Sequence, residues 1–176
     1  MTEVQIPQGV KVKISDDKSE VVVEGKLGST VKKVNTTLLG VAVQGDKLIV
    51  TETKNKKLAK KAVLACQALS SEFKSSMEGV ENGIQKRMKI IYAHFPMSVE
   101  IKGNEVRVKN VFGEKLPRIA KIVGVTKVEV KGQDVLVKGV DPYDVGQTAA
   151  NLHRLSFVRR KDTRVFQDGI YYVGEE

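Results

Sequence analysis

Four arginines and a lysine lie within eleven residues near the C-terminus: Arg154, Arg159, Arg160, Lys161 and Arg164, against the single acid Asp162. A guanidinium is planar and permanently charged. Its paired N–H donors match two phosphate oxygens, and its flat face stacks on bases. Such a stretch performs no proton transfer at neutral pH, but it can hold a polyanion. The chain has seven arginines and none precedes Arg87. A distribution that empties one half and crowds the end of the other points to a single face presented to a polyanion, with RNA the expected one. A second basic cluster, Lys86-Arg87-Met88-Lys89, either extends that face or lines a linker. His153, beside Arg154, either reaches a phosphate or packs into the fold.

Residues 156–173 read Ser-Phe-Val-Arg-Arg-Lys-Asp-Thr-Arg-Val-Phe-Gln-Asp-Gly-Ile-Tyr-Tyr-Val, a basic loop pinned by apolar residues. Phe157 and Phe166 are spaced to anchor it. Asp168-Gly169 is a turn dipeptide that shapes the loop before a short extended run, Ile170 to Val173. A loop pinned in this way loses less entropy on binding. The lysine run Lys54, Lys56, Lys57, Lys60 and Lys61 is a weaker signal, because lysines opposite an apolar helical stripe usually form a solvated face; the alternative is contact with RNA or another partner.

Other chemistry is missing from the sequence. There is no GxGxxG, GxxxxGK[ST], HExxH, CxxC or GxSxG pattern. Cys66, His94 and His153 are too dispersed to suggest a zinc site. We therefore expect no enzymatic activity, no metal and no cofactor. Cys66 reads as a small core residue, His94 as structural or surface, and Asp16-Asp17 as a solvated hairpin tip.

The elements that must position the basic stretch come from a duplication. Residues 6–12 (Ile-Pro-Gln-Gly-Val-Lys-Val) align with 95–101 (Phe-Pro-Met-Ser-Val-Glu-Ile), and Glu20–Val23 with Glu105–Val108. Leu27-Gly28 then aligns with Phe112-Gly113, and Val43–Val50 with Val130–Val137. A period near 87 is too long for a solenoid unit and implies two similar domains, 1–80 and 81–176, joined by a linker near 78–90. In each copy apolar residues alternate with polar ones: Val10, Val12, Ile14; Val21, Val23; Leu48, Val50; then Val99, Ile101; Val106, Val108; Val128, Val130; Val135, Val137. Period two with β-branched residues predicts strands with one buried face. Gly45-Asp46, Gly103-Asn104 and Gly132-Gln133 are hairpin turns.

The stretches 29–40 and 114–124 are ambiguous between the two patterns, and Pro117 argues against a regular helix interior in the second. One helix closes each copy. The first runs from about Lys56 to Ser76, with Leu58, Ala62, Ala65, Leu69 and Phe73 on one face. The second starts at the cap Asp141 with Pro142 in its first turn, and buries Val145, Ala149 and Leu152.

Composition agrees with a soluble globular protein: 176 residues, 41% hydrophobic, 29% charged, 5% aromatic and no tryptophan, so the core is aliphatic. The net charge of +9 favours nucleic acid or an anionic membrane surface. No apolar run approaches the roughly 20 residues of a membrane span. Met1-Thr2-Glu3-Val4-Gln5 shows no secretory signal, and a lone cysteine fits a reducing cytosol. Few aromatics and no Lys/Arg-Gly-Phe-type motif argue against a module that stacks runs of single-stranded bases.

The run Arg-Lys-Asp-Thr-Arg-Val-Phe-Gln-Asp-Gly-Ile-Tyr, residues 160–171, closely resembles the C-terminal signature of the large-subunit ribosomal protein six family in its archaeal and eukaryotic branch. Ile6-Pro7, Val10, the Val-Glu-Gly-Lys-Leu-Gly run at 23–28 and the tandem repeat agree, so the resemblance spans essentially the whole chain. It implies an α+β fold: a tandem duplication of one module, each with small, mostly antiparallel β-sheets and one helix around a single core. It also implies a structural constituent of the large ribosomal subunit. Such a protein binds the 3′ domain of large-subunit ribosomal RNA near the sarcin–ricin loop and the translation-factor site, mainly through its C-terminal half.

On that reading the RNA contacts are Arg154, Arg159, Arg160, Lys161 and Arg164, with Lys86, Arg87, Lys89 and His153 beside them and Asp168-Gly169 shaping the loop. The partners are ribosomal RNA and neighbouring ribosomal proteins, with no membrane. The protein is a monomer within a cytoplasmic ribosome. The rival reading is a two-domain protein-interaction module without specific RNA binding, its charge serving solubility alone.

Overall fold

The computed structural model describes residues 2–52 and 59–174, and the chain divides into two compact units, Met1–Gly83 and Ile84–Glu176. Lys54, Lys56, Lys57 and Leu58, with the expected start of the first helix, lie outside the described residues.

The first unit begins with β1 (Thr2–Gln5). A meander follows, of β2 (Lys11–Ile14), β3 (Glu20–Gly25) and β4 (Gly28–Lys33). The hairpin β5 (Leu39–Gln44) and β6 (Lys47–Glu52) and the helix α1 (Ala59–Asn82) complete the unit. The strands form two antiparallel three-stranded sheets, β2-β3-β4 and β1-β6-β5. α1 packs on strands of both. The alternation predicted from sequence is what buries Val21, Val23, Leu48 and Val50 completely, against Ala62, Leu69, Phe73, Met77 and Val80 of the helix. Cys66 is buried among them, and Ala65 is only half-buried. Gly25 is needed at the turn of the β3–β4 hairpin, because a Cβ there would come within 2.3 Å of Val80.

The second unit repeats this course. β7 (Ile84–Ile91) is followed by a meander of β8 (Ser98–Lys102), β9 (Glu105–Lys109) and β10 (Arg118–Lys121). Then come the hairpin β11 (Lys127–Lys131) and β12 (Asp134–Gly139) and the helix α2 (Pro142–Leu155). β7 pairs with β12 as β1 pairs with β6, so the two copies share one topology as well as one sequence pattern. The unit then departs from the pattern. A final strand, β13 (Gly169–Tyr172), returns to the free side of β7 and gives a four-stranded sheet, β11-β12-β7-β13. One core joins both sheets and the helix: Met88 and Ile90, Val106 and Val108, Val135 and Val137, Val145, Ala149 and Leu152, and Ile170. Each Val, Leu, Ile or Met side chain among them contributes about 1.5–3 kcal/mol by leaving water.

The fold class is α+β, built from small antiparallel sheets with one helix per unit. The three Gly-X turns have Gly45, Gly103 and Gly132 at φ of 58, 57 and 62, with no positive φ at the following residue. A glycine at the first position of a two-residue loop is what a II′ hairpin turn requires. Asp141 caps α2, its carboxylate accepting from the Tyr143 amide at 2.9 Å.

Three expectations are corrected. The first helix ends at Asn82 rather than Ser76, and β7 starts two residues later, so 78–90 is not a linker. The unassigned stretches contain strands, β4 within 28–33 and β10 at 118–121, directly after Pro117. Ile101, expected on a buried face, is 41% exposed on β8, the edge strand of its sheet.

Candidate nucleic-acid interface

The basic stretch forms the connection from α2 to β13, and its rigidity comes from buried groups at both ends. At the start, Ser156 is buried. Its hydroxyl donates to the His153 carbonyl at 3.1 Å and accepts from the Ile170 amide at 2.8 Å. Val158 is also buried, so the intervening Phe157 is turned outward and is 53% exposed. Phe157 is therefore not an anchor; Ser156 and Val158 are.

At the far end Asp168 is fully buried. Its carboxylate accepts from the backbone amides of Ala93 at 2.8 Å, His94 at 3.2 Å and Phe95 at 2.9 Å, and His94 Nδ1 lies 3.3 Å away. Burial pushes this carboxyl up. The hydrogen bonds from Ala93, Phe95 and His94 together outweigh it and hold the group below its ordinary value. Asp168-Gly169 is thus not a turn. Gly169 opens β13, and a Cβ on it would press within 2.9–3.1 Å of the Tyr171 ring.

The middle of the loop is braced by rings. Phe166 stacks on His94 with centroids 4.6 Å apart, and meets Phe112 at 5.6 Å. The Lys161 ammonium sits 4.8 Å over the Phe166 ring.

The expected contact residues fall into three groups. Arg154, Arg159, Arg160 and Lys161 are exposed, and no acidic partner is found for them among the described residues. Arg160 adopts φ 59, a left-handed backbone that costs a non-glycine residue about 1–2 kcal/mol. Arg164 is exposed but engaged. Its Nε and Nη2 donate to Asp162 at 3.2 and 3.1 Å, and these bonds hold the Asp162 carboxyl below its usual range. His153 is half-buried. Its Nδ1 lies 2.8 Å from the Ile170 carbonyl, which can only accept, so that nitrogen carries the proton and ties α2 to β13.

Lys86, Arg87 and Lys89 are exposed on β7, with Met88 buried between them. Lys89 pairs in register with Tyr171, and the Val173 amide donates to the Arg87 carbonyl at 3.0 Å.

The structure adds residues that the sequence reading did not single out. A cleft of about 840 Å³ is lined by Arg154, Phe157 and Arg159 on one side and by Phe112, Arg118 and Lys121 on the other. Arg118 Nη1 donates to the Leu155 carbonyl at 2.7 Å, capping the C-terminus of α2, and its Nε donates to Glu114 at 2.8 Å. That pairing holds the Glu114 carboxyl below its ordinary value and raises Arg118. Four cations thus face one acid across the cleft. The only signal in the sequence was an isolated arginine at 118, which nothing there distinguishes from the one at 107.

Among the described residues no group of three His, Cys, Asp or Glu could hold a metal, and no helix is long and apolar enough to cross a membrane. The model of the family described as ribosomal protein L6 matches residues 95–169. Over 179 residues the chain is 40% identical to large ribosomal subunit protein uL6 of Archaeoglobus fulgidus, covering 97% of this chain and 87% of that protein. It is 38% identical over 170 residues to the uL6 of Methanosarcina mazei (97% and 94% covered), and 39% over 174 residues to that of Methanocella arvoryzae (98% and 96%). The chain belongs to the uL6 family. This is a family of structural, non-enzymatic ribosomal proteins. The family match on residues 95–169 takes in Asp168 and one of the three amides that grip it, that of Phe95, together with the cleft and the loop up to the start of β13.

Proposed function

We propose that the protein is a structural constituent of the large ribosomal subunit and binds large-subunit ribosomal RNA through its second unit. Its working place is then the cytoplasmic ribosome, as a monomer among neighbouring ribosomal proteins. The observation that carries this reading is the pairing of a rigid basic loop with a basic cleft at its base. Arg159, Arg160 and Lys161 project from a segment fixed by Ser156, Val158 and Asp168, and Arg118, Lys121 and Arg154 flank the cleft below. Fixed guanidinium groups clamp phosphates at set spacing. They can read the shape of folded RNA without entering its narrow major groove. Arg164, Lys86, Arg87, Lys89 and His153 lie around this centre as secondary contacts. The resemblance of residues 160–171 favours the 3′ domain, near the sarcin–ricin loop and the translation-factor site, as the target.

The test is equilibrium binding to a 3′-domain large-subunit RNA fragment and to an unrelated duplex of equal length, at several salt concentrations. Preference for the fragment is expected, with a log–log salt slope of about −3 to −4 for roughly four neutralised phosphates. Arg159→Ala with Arg160→Ala should flatten that slope by roughly 1.5 and leave thermal unfolding nearly unchanged. Equal affinity for both RNAs, or a flat salt response, overturns the reading in favour of a protein-interaction module.

A further inference from the structure

Phe157 is an exposed aromatic whose exposure is enforced. Its neighbours Ser156 and Val158 are both buried, and its own amide donates to the Arg154 carbonyl at 3.3 Å. The ring therefore cannot turn inward by a slip of the loop. It lines the basic cleft, and it also lines a second pocket of about 480 Å³ walled by Ile91, His153, Val158 and Tyr171. That volume lies in the range of about 300–1,000 Å³ typical of sites for small organic groups.

The second pocket differs in chemistry from the first. No Lys, Arg, Asp or Glu lines it. Its walls are aromatic and aliphatic. His153 is fixed through Nδ1 to the Ile170 carbonyl, and meets Phe157 edge-on with centroids 6.4 Å apart and Tyr171 at 5.8 Å. Three uncharged polar side chains complete the lining: Ser156, whose hydroxyl is already engaged by His153 and Ile170, and Thr163 and Gln167. The Gln167 amide nitrogen donates to the Arg164 carbonyl at 3.1 Å, which leaves its oxygen as an acceptor.

An apolar, aromatic-walled pocket separated by one phenylalanine from a cleft of phosphate-binding cations suits a single nucleotide drawn out of its helix. The phosphates stay on Arg154 and Arg159, and the base leaves the charged cleft. We propose that this pocket takes one unstacked base of the bound RNA, stacked on Phe157, with Gln167 or Thr163 meeting its polar edge. The proposal rests on the RNA-binding reading above. It adds a point of base recognition to an interface otherwise built on phosphate contacts. It also refines the low-aromatic argument: one ring cannot support a run of stacked bases, but it can hold one.

The test is chemical probing of the 3′-domain RNA fragment with base-reactive and backbone-reactive reagents, with Phe157→Ala, Phe157→Leu and Phe157→Tyr beside the wild type. With wild type, one unpaired base loses reactivity next to protected backbone. Phe157→Ala and Phe157→Leu restore that base's reactivity while the backbone protection persists, and Phe157→Ala weakens binding about tenfold. Phe157→Tyr, which keeps the ring, behaves as wild type. If Phe157→Ala leaves both the base pattern and the affinity unchanged, the pocket holds no base although RNA binding stands. If the wild-type protein protects no backbone at all, the RNA-binding reading falls and this proposal with it.

Discussion

The two units follow the same path of strand, meander, hairpin and helix, and they part at two places. In the first unit β3 turns into β4 through residues 26–27, and that unit ends with its helix and Gly83. In the second, residues 110–117 separate β9 from β10, and the chain continues past α2 through the basic loop into β13. These two additions meet. Phe112 of the longer turn packs on Phe166 of the loop, and the cleft lies between Phe112, Glu114 and Arg118 on one side and Arg154, Phe157 and Arg159 on the other. Arginine is confined to the extended unit, which holds all seven. Residues 1–83 hold 13 Lys and Arg against 10 Asp and Glu, and residues 84–176 hold 17 against 11. A duplicated module supplies a stable frame twice, and the candidate interface is assembled only where one copy was extended.

The largest effect that separates the units comes from the first core. Phe73 is fully buried under both sheets of the first unit. Phe73→Ala should cost about 3–5 kcal/mol of that unit's stability, measured by denaturant unfolding. RNA affinity should be unchanged under conditions where the variant stays folded. A parallel loss of affinity would break the comparison, because it would make the first unit part of the interface.

Next in size is Asp168, which has no counterpart in the first unit. Asp168→Ala strands three backbone donors in a buried place and should cost about 2–4 kcal/mol, with the loop loosened and RNA binding weakened. The same carboxylate gives a pH signature. Its folded pKa is below the ordinary value of about 3.9. The stability it contributes is therefore fully present above that unfolded value, and is lost as pH falls below it through the folded pKa. Thermal unfolding followed from pH 6 to pH 2 should show this loss in the wild type, and a shallower one in Asp168→Asn. Equal slopes would mean that the carboxylate is not the clasp of the loop.

Much of this frame was readable before any coordinates. Val21 and Val23, or Val135 and Val137, alternate with polar residues because each strand has one buried face, and Gly45, Gly103 and Gly132 mark turns that only positive φ permits. What could not be read depends on contacts distant in sequence. Gln85 to Lys89 looks like a linker because every residue but Met88 is polar and exposed, and its central place appears only when β12 and β13 pair with it. Phe157 looked like an anchor by residue type. Hydrogen bonds through Ser156, which hydrophobicity does not register, turn it outward. Asp168 looked like a turn residue, although its partners lie 73–75 positions away. Arg118 joins the cleft because β10 runs beside α2.

The smallest predicted effect tests whether the loop's charge acts as a fixed array or as a sum. Asp162 is the one acid in the stretch 154–164, and it holds Arg164 through both its side chain and its backbone amide. Asp162→Asn preserves the turn, since the side-chain oxygen still accepts from the Arg164 amide, and removes only the charge. If the loop acts through summed charge, the released Arg164 joins the array. Affinity for the RNA fragment then rises modestly, and the salt slope steepens by roughly 0.7–0.9, the increment of one further phosphate. If affinity falls instead, Asp162 is holding Arg164 in its binding geometry or itself accepts a hydrogen bond from the RNA, as a carboxylate can from a 2′-hydroxyl or an exocyclic amine. The comparison would then shift from a basic extension toward a shaped one, in which the acid is as much a part of the interface as the arginines around it.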